Sequence, residues 1–355
     1  MENVKVTIWG FGAMGSGIAK MLLDKKGVEI VGILDRNPDR VGKNMFEVLN
    51  MPQLKGHNPV IIRENPEEVI TEGSCDIVVV ATDSFVKKAF DKIEFVLTQK
   101  INVITLAEEM SYPRAQHPEL AHKLDEIAKR NGVSVLGTGI NPGLVMDLLA
   151  ICLSGAMTHV DRVMCKRINS LSPFGKAVME EQGVGISAEE FEKGVQDGSL
   201  AGHVGFAESV AMISDALGLS VDSFKQQMTP IITNVDRKAP HGSAKAGNVA
   251  GVNMTGQGLK GSNIIIEMEH PQQIEPLAEG VHTGDYIELK GTPSISMQIT
   301  PEIDGGLGTI AMCGNCIPHV INAKAGLISM LDIPVPHAIM GDYRDYIDID
   351  KKIVK

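Results

Sequence analysis

A glycine-rich turn close to the N-terminus constrains the fold of this chain more than any other stretch. The turn consists of Gly10, Phe11, Gly12, Ala13, Met14 and Gly15. Apolar residues at positions 4, 6 and 8 predict a strand before it, and apolar residues at helical spacing within 16–26 predict a helix after it. In such a unit the first glycine permits a tight turn, the second admits a pyrophosphate, and the third lets helix and strand pack closely. The spacing therefore predicts a dinucleotide-binding turn.

An acidic residue supports this interpretation. A second apolar run, 30–34, ends at Asp35, twenty residues after Gly15, where the acid that binds the adenosine ribose is expected. We expect Asp35 to accept hydrogen bonds from ribose hydroxyls, and Arg36 either to stack on the adenine or to meet a 2′-phosphate. The two residues favour different cofactors, since an acid that binds the ribose hydroxyls suits NAD and an arginine that binds a 2′-phosphate suits NADP. The sequence therefore predicts either NAD or NADP as the cofactor.

The order of the predicted elements indicates an α/β protein with two domains. Strands and helices alternate through residues 1–140, which predicts a parallel sheet of the Rossmann type. Longer strands follow, so we predict a substrate-binding and oligomerisation α+β domain with a mostly antiparallel sheet at 141–330. Residues 331–355 are predicted as a tail that packs back on the first domain. The predicted Rossmann strands are Lys5–Ile8, Glu29–Leu34, Pro59–Ile62, Ile77–Ala81, Asn102–Leu106 and Ser134–Leu136.

Composition and charge exclude several classes of function. The net charge of −11 and the absence of a basic run argue against a nucleic-acid partner. No stretch has the length of a membrane span and no signal peptide is apparent, so we expect a cytoplasmic protein with no membrane partner. The five cysteines are sparse, Cys313 and Cys316 lack a second pair, and no residues show metal-ligand spacing, so no metal is expected. Open sheets often pair between subunits, which favours a homodimer.

Ligands of a parallel sheet bind beyond the carboxyl ends of its strands, and several candidates lie at such ends. Glu108 and Glu109 follow the fifth predicted strand. Because adjacent side chains of an extended strand point to opposite sides, one glutamate should face the cleft and the other should be structural. We assign the catalytic role to Glu109, as a partner for a substrate ammonium group or as a base, with capping of the following helix as the alternative. The other strand-end candidates are Ala81, Thr82 and Gly139 for the cofactor, and Asp83 and Asn141 for catalysis.

The second domain offers a histidine and several cations. His203 lies between two glycines at the predicted start of a helix, where it should be approachable and where the positive helix end should lower its pKa. We therefore predict that His203 and Glu109 face the same substrate. The candidate carboxylate-binding residues, for which salt bridges are the alternative role, are Arg167, Lys176, Arg237 and Lys238.

Four stretches of the chain resemble a known family. They are 10–15, Glu108-Glu109 with Tyr112-Pro113, Thr138–Asp147 and Gly202–Ser209. With these stretches the chain resembles the 2,4-diaminopentanoate dehydrogenase family, within the dihydrodipicolinate reductase-like group, over nearly its whole length. The resemblance implies NAD- or NADP-dependent oxidative deamination of 2,4-diaminopentanoate to 2-amino-4-oxopentanoate, in ornithine fermentation.

The sequence also departs from related activities. Dihydrodipicolinate reductases carry a His-His pair near the strand that here ends in Ile168-Asn169, and the pair is absent. Sugar-type oxidoreductases of similar architecture carry Glu-Lys-Pro where this chain has Glu108-Glu109-Met110. The alternatives that stay open are another amino-acid or imine oxidoreductase of the group, and a dinucleotide-sensing protein without catalysis.

Overall fold

The computed structural model describes residues 2–348 and 350. The chain divides into two compact units. Of the described residues, the first unit contains 2–143, 305–348 and 350, and the second contains 144–304.

The helices and strands follow in chain order. The first unit begins with β1 (Val4–Trp9), α1 (Ala13–Leu23), β2 (Val28–Leu34), α2 (Met45–Val48), β3 (Ile77–Val80), α3 (Val86–Thr98), β4 (Asn102–Thr105), α4 (Pro118–Asn131) and β5 (Ser134–Gly137). The second unit contains α5 (Leu148–Ser154), β6 (His159–Ser170), α6 (Lys176–Glu181), α7 (Ala188–Asp197), α8 (Phe206–Leu217), β7 (Ser223–Ile232), β8 (Arg237–Lys238), β9 (Ser243–Ala244), β10 (Val249–Lys260), β11 (Asn263–Gln273), β12 (Gly284–Thr292) and β13 (Ile295–Ile299). The chain returns to the first unit with α9 (Gly305–Asn322) and β14 (Gly326–Ile328).

The first unit is built on a parallel sheet with the strand order β14-β5-β4-β3-β1-β2. All four residues of β3 are buried, as expected of a central parallel strand covered on both faces. The strand order reverses beside β1, which pairs with both β2 and β3, and this is where such sheets bind ligands. The predicted Rossmann sheet is confirmed.

Two details of this sheet differ from the prediction. The predicted strand Pro59–Ile62 forms no ladder and contributes only isolated bridges, Asn44 to Ile61 and Leu34 to the neighbouring Arg63. The sixth strand is instead β14, which pairs with β5. Since β14 and α9 belong to the first unit, the second unit ends at Asp304 and not at the predicted residue 330.

The second unit is built on a mostly antiparallel sheet with the order β13-β12-β6-β11-β10-β7, in which only the β6–β11 pair is parallel. The prediction of a mostly antiparallel second sheet is confirmed. Along β6, buried residues alternate with half-buried ones from Val163 onward, and α5 and α8 contact the strands of this sheet. Alternate positions of β6 and β11 therefore project into one buried layer.

The chain after β14 is anchored to the first unit by Tyr343. This side chain is fully buried, and its hydroxyl donates to the carbonyl oxygen of Gly314 at 3.1 Å. The backbone N–H of Tyr343 donates to the carbonyl oxygen of Lys26 at 2.9 Å. The described part of the tail is thus packed against the first unit.

We expect Tyr343→Ala to lower the free energy of unfolding by about 3–5 kcal/mol, because it leaves a large cavity. Tyr343→Phe keeps the ring and should cost only about 1 kcal/mol, the contribution of one hydrogen bond. Urea unfolding of both variants provides the measurement. Equal losses in the two variants would contradict a packing role for the ring.

Candidate active-site residues in the two units

The glycine turn has the geometry that its spacing predicts. It joins β1 to α1, whose N-cap is Gly12. Gly10 has a φ of +99°, and a Cβ there would lie 2.5 Å from the carbonyl oxygen of Ala81. A Cβ at Gly15 would lie 1.9 Å from the carbonyl oxygen of Gly10. A Cβ at Gly12 would have more room, because the nearest atom to it would be Arg40 Nη1 at 4.0 Å. The protein itself therefore excludes side chains at Gly10 and Gly15, and Gly12 leaves a cradle that a phosphate can occupy.

Asp35 binds the turn directly. Its Oδ2 accepts the N–H of Phe11 at 2.7 Å and a hydrogen bond from Arg40 Nη1 at 3.0 Å, and its Oδ1 accepts the N–H of Asn37 at 2.8 Å. Burial raises the pKa of Asp35, but the hydrogen bonds from Asn37, Phe11 and Arg40 outweigh burial and hold that pKa below its ordinary value. Asp35 is therefore an ionised carboxylate at the end of β2, and Arg40 is a partner that the sequence did not single out.

A groove of about 250 Å³ lies against the turn. It is lined by the predicted cofactor residues Gly10, Gly12, Asp35, Arg36, Ala81 and Thr82. The first unit thus brings these residues together in one groove, and the open cradle over Gly12 fits a dinucleotide.

Asp83 lies in the same groove and is paired with a lysine. Its carboxylate forms an ion pair with Lys92 and accepts the hydroxyl of Thr82 at 2.7 Å. Burial raises the pKa of Asp83, but the bonds from Lys92 and Thr82 outweigh burial and lower it. This arrangement gives Asp83 an electrostatic partner within the cofactor groove.

Glu109 occupies a structural position. It lies in a 3-10 helix, Glu108–Ser111, and is 8% exposed. Its Oε2 accepts the N–H of Val86, the first residue of α3, at 2.7 Å and lies 3.2 Å from His117 Nε2. The carboxylate therefore caps α3 rather than the helix that follows it. Glu108 is half-buried and is the other glutamate of the pair.

The loop after β5 holds the remaining candidates of the first unit. The N–H of Ile140 donates to the hydroxyl of Thr309 in α9 at 3.3 Å, and Asn141 is half-buried. A Cβ at Gly139 would lie 3.2 Å from the carbonyl oxygen of Pro142. Gly139 and Asn141 thus lie in a loop that folds tightly on itself beyond the end of β5.

His203 is packed against other rings and does not begin a helix. The helix α8 begins at Phe206 with Gly205 as its N-cap, and His203 precedes both. The His203 ring lies 4.7 Å from the ring of His270 and 5.5 Å from that of Phe206, centroid to centroid. Burial, followed by the charge of Arg167, lowers the pKa of His203 to about 3. The imidazole is neutral as predicted, but the cause is its surroundings and not a helix terminus.

The predicted carboxylate-binding arginines are occupied within the protein. Arg167 is buried, forms an ion pair with Asp285 and donates to the carbonyl oxygen of Ile303 at 2.6 Å. Arg237 is also buried and forms an ion pair with Glu279. These two guanidinium groups therefore stabilise the second unit. Lys176 is exposed beside Glu180 and Lys238 is exposed at the surface.

The structure reveals two buried polar residues that the sequence did not single out, His270 and Gln272 on β11. His270 is 3% and Gln272 6% exposed. The Nε2 atom of His270 lies 3.2 Å from Asn169 Oδ1, while His270 Nδ1 and Gln272 Nε2 have no hydrogen-bond partner among the described residues. The sequence does carry a signal for them, because they extend the alternation of buried positions begun by Ile266 and Met268 and place polar side chains there.

Both units match known families. Residues 144–349 match the family model of the 2,4-diaminopentanoate dehydrogenase C-terminal domain, and residues 4–105 match that of the dihydrodipicolinate reductase N-terminus. The chain is 57% identical, over the full length of both proteins, to a 2,4-diaminopentanoate dehydrogenase of Acetoanaerobium sticklandii. It is 21% identical to an amine dehydrogenase of Streptomyces virginiae, covering 95% of this chain and 98% of that one. The structure of an amine dehydrogenase from Mycobacterium smegmatis superposes with a TM-score of 0.84 and 25% identity, covering 96% and 98% of the two chains.

The fold and the cofactor groove define an NAD(P)-dependent dehydrogenase that acts on an amino compound. Within that class, the chain belongs to the 2,4-diaminopentanoate dehydrogenase family. No helix in residues 2–348 is long and apolar enough to cross a membrane. Nor does the described part of the chain contain a group of three or more metal-ligating side chains.

The buried imidazole of His270 predicts a loss of stability in acid. The pKa of His270 lies well below its ordinary value because of burial, followed by unfavourable electrostatic interactions with His203 and with the Arg167 guanidinium. Below an unfolded-state pKa of about 6.5, the unfolded chain takes up a proton that the folded His270 does not. The free energy of unfolding is therefore fully retained above about pH 6.5. It falls as the pH is lowered, with a limiting slope of about 1.4 kcal/mol per pH unit for this one group.

Chemical unfolding at pH 7 and pH 5 tests this prediction. His270→Gln should lose less stability between the two pH values than the unsubstituted protein. His122→Gln, at an exposed position of α4, is the matched control and should lose as much as the unsubstituted protein. Identical pH dependence in all three proteins would contradict a buried neutral His270.

Proposed function

We propose that the protein catalyses the NAD(P)-dependent oxidative deamination of 2,4-diaminopentanoate at C4, which gives 2-amino-4-oxopentanoate and ammonia. The observation that carries the proposal is the 57% identity over the full length of a 2,4-diaminopentanoate dehydrogenase.

The second unit offers a hydrogen-bonding pair suited to the amino-acid end of this substrate. When His270 Nε2 donates to Asn169, its Nδ1 remains as an acceptor, and Gln272 Nε2 is a donor. The two residues lie two positions apart on β11, so their side chains share one face of the sheet. An acceptor beside a donor matches the C2 ammonium and the carboxylate of a diamino acid.

The chemistry requires a neutral amine at C4. The bound nicotinamide supplies the hydride acceptor. A carboxylate must take a proton from the C4 ammonium, so that the nitrogen lone pair assists departure of the hydride from C4. The resulting iminium adds water, and ammonia leaves as the C4 ketone forms.

We assign this carboxylate to Glu108 instead of Glu109. The Glu109 carboxylate already caps α3 and lies beside His117. Glu109 is therefore proposed as a positioning residue that fixes the 3-10 helix on which Glu108 lies. This reverses the roles of the two glutamates that the sequence predicts.

Activity assays with a panel of amines test the reaction. Absorbance at 340 nm should rise when NAD⁺ or NADP⁺ is mixed with 2,4-diaminopentanoate, and much less with a simple amine that lacks the amino-acid end. Preference for the simple amine would favour the second candidate function, an amine dehydrogenase like the relatives from Streptomyces virginiae and Mycobacterium smegmatis. Cofactor binding without turnover of any amine would favour a dinucleotide sensor.

The biological setting follows from the same proposal. We place the reaction in ornithine degradation, in the cytoplasm, and propose that the protein is a homodimer that pairs through the open sheet of its second unit. Native mass spectrometry tests the dimer, and a monomer at micromolar concentration would contradict it.

Paired substitutions test the two glutamates. Glu108→Gln should lower kcat/KM by at least about 100-fold, the scale expected for loss of a positioned base. Glu109→Gln should lower activity less, and should also lower the melting temperature because it weakens the cap of α3. Titration with NADH should show unchanged binding in the Glu108 variant. A larger loss of kcat in the Glu109 variant would return the catalytic role to Glu109.

Gln272 offers a test that separates substrate binding from stability. A buried amide nitrogen without a partner costs about 1–3 kcal/mol, so Gln272→Leu should leave thermal stability unchanged or raise it. If Gln272 binds the substrate carboxylate, the same substitution should raise KM for 2,4-diaminopentanoate by about 10-fold or more. A destabilised variant with normal KM would show that Gln272 serves only the fold.

A further inference from the structure

We propose that the Asp35–Arg40 ion pair, and not Arg36, determines how this dehydrogenase chooses between NAD and NADP. Three cationic side chains line the groove in the described part of the first unit, Arg36, Arg40 and Lys92. Lys92 is held by the carboxylate of Asp83. The choice therefore lies between the two arginines.

Arg40 is already held at the place where the two cofactors differ. Its Nη1 lies 3.0 Å from Asp35 Oδ2 and 4.0 Å from the position of a Cβ at Gly12. The guanidinium therefore lies between the carboxylate that adjoins the ribose and the cradle for the pyrophosphate. Its side chain is 32% exposed, which leaves part of the group open to a ligand.

The ion pair can accept either cofactor by a change of partner. For NAD, the ribose 2′-hydroxyl needs an acceptor, and Asp35 Oδ1 accepts only the N–H of Asn37 among the described residues. For NADP, an ionised Asp35 alone would repel the 2′-phosphate. Arg40 offsets that charge and can turn its remaining N–H groups to the phosphate, since guanidinium groups bind phosphate oxygens in a bidentate manner.

Arg36 fits a role that is common to both cofactors. It lines the groove but makes no hydrogen bond or ion pair with the described residues. A guanidinium that is not held by a carboxylate can stack on the adenine ring, which is identical in NAD and NADP. Its contribution should therefore not discriminate between them.

Fluorescence titrations with NADH and NADPH, without substrate, test the proposal. Arg40→Ala should raise the dissociation constant of NADPH by at least about 10-fold and change that of NADH by less than about 3-fold. Arg36→Ala, the matched control, should weaken both by a similar factor. Asp35→Asn should favour binding of NADPH over NADH, because it removes the repulsion between the carboxylate and the 2′-phosphate. A side-chain oxygen would still accept the N–H of Phe11.

Melting temperatures of all variants establish that each is folded, and Arg40→Lys, which keeps the charge, should retain part of the NADPH affinity. The proposal would be overturned if Arg36→Ala selectively weakened NADPH binding, or if Arg40→Ala weakened the binding of both dinucleotides equally. The measurement involves no diamino acid, so its outcome is independent of the proposed reaction.

Discussion

The cofactor site depends on one carboxylate, that of Asp35, which connects the end of β2 to the glycine turn. It accepts a hydrogen bond from the N–H of Phe11 and so fixes the turn that joins β1 to α1. The turn can take this shape because Gly10 and Gly15 leave no room for side chains. The same oxygen holds Arg40 beside Gly12. One carboxylate thus fixes the backbone of the glycine turn and also holds a cation beside that turn.

The second unit depends in a similar way on Arg167. Its ion pair with Asp285 joins β6 to β12, and its bond to Ile303 holds the chain just before it returns to the first unit. Removing one partner of such a buried pair costs about 3–5 kcal/mol, because the other charge remains buried. Burial lowers the pKa of His203 and of His270, and the charge of Arg167 adds to that effect in the layer where we place substrate recognition.

Much of the fold follows from local patterns in the sequence, and the exceptions have physical causes. The glycine turn, Asp35 and the two sheet types are set by spacing and alternation, which a single sequence displays. By contrast, β14 has only three residues and pairs with β5 across an interval that contains the whole second unit. The stretch Pro59–Ile62 has strand-like composition but lacks a neighbouring ladder. Pairing over such distances leaves no local signal.

The candidate site was less predictable, because residue type and position do not determine which side chains pair with each other. Arg167 and Arg237 have the chemistry of carboxylate binders, yet each is held by an acidic residue far along the chain. Glu109 has the chemistry of a base, yet the backbone of α3 binds it. His270 and Gln272 are instead revealed by what they lack, because buried polar atoms without partners reduce stability. Such a cost is expected where a ligand supplies the missing partners, and this is the physical reason to look for the substrate beside β11.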